Sequence, residues 1–273
     1  MGLFFYRTSP LPSPPNIDDL LVWMDSSDIA AADGASVPSM TNKGTLGGTW
    51  STNSPLAPLA ATVGGRRALS FPYVWFSGGT NRYGYNLSSF TFPAITATQG
   101  ITMVILANQL TYVPDGTSGP NINLASAGNT NGASGGLIIG AASYLMPFPL
   151  QYRWYTSQPS QNGSTSQSTY PYGMSAQITS EFVAYGTKLS TTITNNQEFF
   201  KIRQSVATVS ATAESVATGI VGTLAGPVTI GGPPGSSVNY EWGGWIREVL
   251  IWNTVVSSDD IKTYLNNKHG GTW

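Results

Sequence analysis

The stretch GWIREVLIWN (244–253), followed shortly by SSDDIKTYL (257–265), decides how this chain reads. Residues 245–252 form a run rich in β-branched and aromatic side chains, which favours a strand. Ser257 with Asp260 three positions on has the form of a capping box, and acids in the first turn complement the helix dipole. Ile261, Tyr264 and Leu265 recur at helical spacing, Lys268 falls in the last turn, and Gly270-Gly271 can end the helix. A strand closed by a short helix over 258–268 is therefore expected. His269 reads as a solvated cation at the helix end.

Working outward, most of the chain reads as strands between turns. Ile101, Met103 and Ile105 share one face of a run over 100–113, with Val104 and Leu106 on the other. Apolar residues on both faces predict a strand covered on both sides. Over 198–209, Phe200, Ile202 and Val206 oppose Lys201, Arg203 and Ser205, the pattern of one half-exposed antiparallel strand. Runs at 20–24, 135–139, 182–189 and 228–230 add further strands, punctuated by Asp33-Gly34, Asn162-Gly163 and Pro233-Pro234-Gly235. Residues 115–136 and 157–173 read as long polar loops. The spacing predicts an all-β, two-sheet antiparallel sandwich.

Composition agrees with one large β domain. The 273 residues hold 12 Lys+Arg, 13 Asp+Glu, one His and no Cys, and only 9% are charged. An average globular chain has about 25%. The apolar fraction is 41%, too high for a disordered chain. A net charge of −1 offers no electrostatic footprint for nucleic acid, and no apolar run is long enough to span a membrane. Without Cys there are no disulfides, thiolate metal sites or Cys nucleophiles.

The first residues, MGLFFYR, lack the basic start and apolar length of a secretory signal. Four prolines between residues 8 and 15 favour an extended arm over 1–15, ahead of a domain over 16–273. Leu3, Phe4, Phe5 and Tyr6 form an apolar patch suited to docking on a partner.

Three segments resemble the laminin-G-like, non-catalytic branch of the concanavalin A-like lectin/glucanase superfamily. LLVWMDSSDI (20–29) is similar to the family's opening strand. MTNKG (40–44) and RALSF (67–71) resemble the turn and strand that follow it. VTIGG (228–232), GWIREVLIWN (244–253) and SSDDIKTYL (257–265) resemble its ending. The resemblance implies a jelly-roll sandwich and a structural part for Glu248, which recurs in that ending. It does not by itself imply a function.

Glycoside hydrolysis needs two carboxylates on one cleft, and the superfamily's hydrolases place acids at alternate positions of one strand. Here Glu181, Glu198, Glu214, Glu241 and Glu248 are scattered, so no enzyme activity is expected. No phosphate-cradling loop or nucleophile elbow is present. No cofactor is expected, with calcium at Asp25, Asp28 and Asp33 as the weaker alternative to local turn bonds. Glycans are held by aromatic faces and planar polar groups. Trp154, Tyr155, Tyr170 and Tyr172 form one candidate cluster, with Trp75 and Tyr83 as another; ordinary packing is the competing reading.

Few charges, many Ser, Thr and Asn, and the absence of a signal fit a protein released by host-cell lysis. The expected role is a virion structural protein: a capsid decoration, spike or fibre subunit on the particle surface. Its expected partners are other copies of itself, other virion proteins and host surface glycans, without nucleic acid or membrane. The alternative is an extracellular carbohydrate-binding module of a secreted bacterial protein, with glycoside hydrolase third.

Overall fold

The computed structural model describes residues 12–52, 56–72, 84–87, 101–109, 122–128, 136–141, 150–155, 166–169, 182–188, 197–202, 208–211, 228–231 and 244–270. The strands of the first half are β1 (Leu20–Asp25), β2 (Ser39–Thr41), β3 (Thr49–Thr52), β4 (Leu59–Val63), β5 (Arg66–Phe71), β6 (Tyr85–Leu87), β7 (Ile101–Gln109) and β8 (Ile122–Gly128). Those of the second half are β9 (Gly136–Ala141), β10 (Leu150–Tyr155), β11 (Ser166–Thr169), β12 (Phe182–Lys188), β13 (Gln197–Ile202), β14 (Thr208–Ala211), β15 (Val228–Ile230) and β16 (Gly244–Trp252). One helix, α1 (Ser258–His269), follows them.

These strands make two eight-stranded antiparallel sheets, as an all-β sandwich requires. The first runs β14-β13-β12-β7-β16-β5-β4, and the second β11-β10-β9-β8-β15-β6-β3-β2. β16 is the spine of the first sheet. β7 pairs along its whole length, while β5 and β1 share its other edge end to end. The partner changes at a bulge, where Arg247 is the extra residue between Ile246 and Glu248. Its guanidinium donates to the carbonyls of Val63 (2.6 Å) and Arg67 (3.4 Å) and stacks on Trp245, tying the bulge to β4 and β5.

Alternation sends Val22, Met24, Met103, Ile105, Val249 and Ile251 to one buried face of this sheet. Leu20, Val104, Leu106, Leu250 and Trp252 point the other way and meet Val256, Ile261, Tyr264 and Leu265. Helix α1 therefore lies on the outer face of the first sheet. Ser257 caps it by accepting from the Asp260 amide at 3.2 Å, the bond its sequence predicts. Burying each of the helix's apolar side chains contributes about 1.5–3 kcal/mol, which fixes it in place.

The free edge of β1 is covered by the turn over 42–47. Lys43, Thr45 and Leu46 donate their amides to the carbonyls of Trp23, Leu20 and Leu21. Asn42 organises the turn: its Oδ1 accepts from the Trp23 and Gly44 amides, and its Nδ2 donates to Leu21 and Gly47. Such cover denies β1 to another chain as an open edge.

Three sequence expectations change. The run over 198–209 is two paired strands, β13 and β14, with Phe200 opposite Val209. Alternation continues through a reversal, and the residues between carry no Gly or Pro to mark it. The stretches 115–136 and 157–173 contain β8 and β11. β11 carries no apolar residue, and in β8 only Ile122 and Leu124 alternate before small residues take over, so backbone pairing is what reveals both. Of the N-terminal arm, residues 12–15 are described: Pro14 is buried, and the Pro15 carbonyl accepts from Trp252 Nε1 at 2.8 Å. The docking patch at Leu3, Phe4, Phe5 and Tyr6 lies outside the described residues.

Candidate functional site

Beneath the C-terminal half of α1 lies a cluster of charged side chains. Its foundation is the pairing of β1 with β16, which sets Asp25 directly opposite Glu248. Two carboxylates far apart in sequence thus share one face of the sheet. α1 supplies the cations. Ile261, Tyr264 and Leu265 define its buried stripe, and adding three or four residues brings Lys268 and His269 onto the same face.

Lys268 Nζ reaches both acids, at 2.8 Å from Asp25 Oδ2 and 2.6 Å from Glu248 Oε1. Glu248 Oε1 also accepts from Trp23 Nε1 at 2.8 Å and from the Tyr264 hydroxyl, and Oε2 lies 2.7 Å from His269 Nε2. Asp25 Oδ1 accepts from the Ser27 amide (3.1 Å) and hydroxyl (2.7 Å), while Lys43 Nζ lies 2.9 Å from Oδ2. Lys43 and Lys268 lie over the Trp23 ring, at 4.1 and 5.1 Å from its centre. The side chains of Asp25, Glu248 and Lys268 are only 2, 0 and 3% exposed.

Taking such ions out of water costs several kcal/mol each, which close pairing and full hydrogen bonding must offset. For Asp25, burial pushes the carboxyl up. Lys268 beside it, with hydrogen bonds from Lys268, Ser27 and Lys43, outweighs this and holds it at about 2. Burial, then the charge and hydrogen bond of Glu248, then the charge of Asp25 push the Tyr264 phenol far above its ordinary range. It stays a donor throughout the usable pH range.

The family resemblance implies a structural part for Glu248 and names none of its partners. His269 is a correction: it is buried against Glu248, not solvated. The signal was present, because positions 268 and 269 continue the apolar stripe of 261, 264 and 265. Of the calcium candidates, Asp25 is held by Lys268, Lys43 and Ser27. Asp28 is half exposed and faces Lys43 at 3.3 Å. Asp33 pairs instead with Arg67 and Thr62, and these bonds lower its carboxyl. Among the described residues, no three of His, Asp and Glu gather in a way that could hold a metal.

Of the aromatic candidates, Trp154 and Tyr155 lie in β10, paired with Leu137 and Gly136 of β9 and with Gln167 and Ser166 of β11. Tyr170, Tyr172, Trp75 and Tyr83 lie outside the described residues. A separate cleft of about 380 Å³ opens beside β2, lined by Asp28, Ile29, Val37 and Met40 among others. It presents no aromatic face.

No protein-family model matches the sequence, and no curated protein matches it. Solved structures do. The binding domain of Paraclostridial Mosquitocidal Protein 1 matches 91% of this chain and 52% of its own, with a TM-score of 0.57 and 8% identity. An arabinofuranosidase complexed with arabinofuranosyl-alpha-1,2-xylobiose matches 86% of this chain and 51% of its own, with a TM-score of 0.53 and 12% identity. Botulinum neurotoxin type C, which depends on interaction with two ganglioside molecules to enter cells, matches 94% and 53%, with a TM-score of 0.51 and 12% identity. The chain spans about half the length of each. At these identities the likeness concerns architecture alone, that of a two-sheet β-sandwich.

Proposed function

We propose that the chain is a non-catalytic, glycan-recognising sandwich of the concanavalin A-like jelly-roll type, serving as a surface subunit of a virion. The observation that carries the recognition reading is the likeness across 94% of the chain to a ganglioside-dependent toxin. The state of the acids supports a non-catalytic role. Asp25 and Glu248 are brought together but sealed beneath α1, each saturated by donors, where no glycosidic bond can reach them. Recognition then falls to surface aromatics, with Trp154, Tyr155, Tyr170, Tyr172, Trp75 and Tyr83 as the candidates. The low-charge surface supports packing between subunits, since few charges need desolvation there.

The second reading, a carbohydrate-binding module of a secreted bacterial protein, draws on the same likeness. A glycan array separates binding from its absence, and sedimentation with intact particles separates the two settings. The expected result is retention on a sialylated or neutral oligosaccharide without release of reducing sugar. Trp154→Ala is expected to weaken binding at least about tenfold, or ~1.4 kcal/mol. No binding to any glycan on the array would overturn the recognition reading. Particle-free protein retained on polysaccharide would favour the module.

A further inference from the structure

The charged cluster holds the parts of a condensation reaction. The geometry points to an intramolecular amide bond between Lys268 Nζ and Asp25 Cγ, formed by the folded chain itself with Glu248 as the proton carrier. Lys268 Nζ lies 2.8 Å from one oxygen of Asp25 and 2.6 Å from Glu248, in a site only 0–3% exposed. Holding the two groups together raises their effective concentration, to as much as about 10⁵–10⁸ M once aligned for attack, which offsets the unfavourable condensation of an acid with an amine in water. Forming a neutral amide also removes two charges from a dry interior, where each is costly.

The atoms balance without any added reagent. Glu248 Oε1 takes a proton from the Lys268 ammonium and passes it to Asp25 Oδ2, which frees the lone pair on Nζ and makes Asp25 a neutral acid open to attack. That pair forms the C–N bond to Asp25 Cγ, and the carbonyl electrons move onto oxygen. Oδ1 receives the developing charge, held by the Ser27 amide and hydroxyl. Oδ2, facing Lys43 at 2.9 Å, departs as water after taking two of the three ammonium protons, both carried by Glu248. The third proton stays as the amide N–H. Ammonium plus carboxylate has become amide plus water.

The bond would join the end of β1 to the last turn of α1. It would close nearly the whole chain into one covalent loop, in a protein with no cysteine to staple it otherwise.

Intact mass spectrometry of the purified, denatured full chain tests this. The expected species is lighter than the sequence by one water, and its peptide map contains a joined pair carrying Asp25 and Lys268. Lys268→Arg and Asp25→Ala are expected to restore their full calculated masses. Glu248→Gln is expected to leave the bond unformed or slowed at least about a hundredfold. A second readout needs no variant. In the ion-paired form the folded Asp25 carboxyl sits near 2, below its ordinary 3.8, so its stabilisation is full above about pH 4 and is lost as pH falls through about 2. The bonded form has no carboxyl there and lacks this acid limb. Full sequence mass after prolonged incubation of folded protein would overturn the proposal. So would a water loss that maps to Asp33-Gly34 or Asp115-Gly116, or that survives Lys268→Arg.

Discussion

Glu248→Ala is expected to cost about 3–5 kcal/mol, the effect of breaking a buried ion pair by deleting one partner. The carboxylate receives Trp23, Tyr264 and Lys268 on one oxygen and faces His269 with the other. Alanine leaves the phenol and the indole N–H buried with no acceptor, and an ammonium with half its counter-charge gone. It also opens a cavity where β1, β16 and α1 meet. Glu248→Gln keeps the shape and one acceptor oxygen, so its loss should be smaller. Urea unfolding reads both, with the midpoint falling at an unchanged slope if the native fold persists.

Gly44→Ala is expected to cost about 3 kcal/mol or more, although it adds a single methyl group. A Cβ at Gly44 would lie 2.2 Å from the Leu21 carbonyl oxygen, 2.5 Å from its carbon and 2.7 Å from the Val22 nitrogen. All three are backbone atoms of β1, so no side chain can swing aside. The turn would have to lift, taking with it the Thr45 amide bond to Leu20 and the Asn42 bonds to Leu21 and Trp23. Gly34→Ala is the matched control. Space is open there, but φ is +80°, so only the backbone conformation is penalised, at about 1–2 kcal/mol. Comparing the two by urea midpoint separates close approach from strain.

The C-terminal helix and the run over 101–106 were legible because their side chains report their environment. The capping box at Ser257, the stripe at 261, 264 and 265, and the mixed faces of 101–106 each state a period, and the structure follows it. The middle was less legible. β11 is wholly polar and β8 keeps only Ile122 and Leu124 among small residues, so their pairing depends on neighbours in space, which a local window does not contain. The charged cluster was half legible. The sequence predicts local backbone bonds for Asp25, and it does accept from the Ser27 amide. Its pairing with Glu248, across more than two hundred residues, is a property of strand order alone. Lys268 and His269 were assigned by their position at a helix end, when their angular position on the helix decides burial.

The non-catalytic reading turns on whether α1 seals Asp25 and Glu248 or opens over them. Amide hydrogen exchange along α1 measures this directly. If the helix is a permanent cover, its central amides, around Tyr264 and Leu265, should exchange only by global unfolding. They should then show the same opening free energy as Val249 and Leu250 of β16, and the same denaturant dependence. An opening of α1 well below that free energy, with β16 still protected, would contradict the account. It would make the helix a lid, expose a carboxylate pair to substrate, and return the chain to the enzymes.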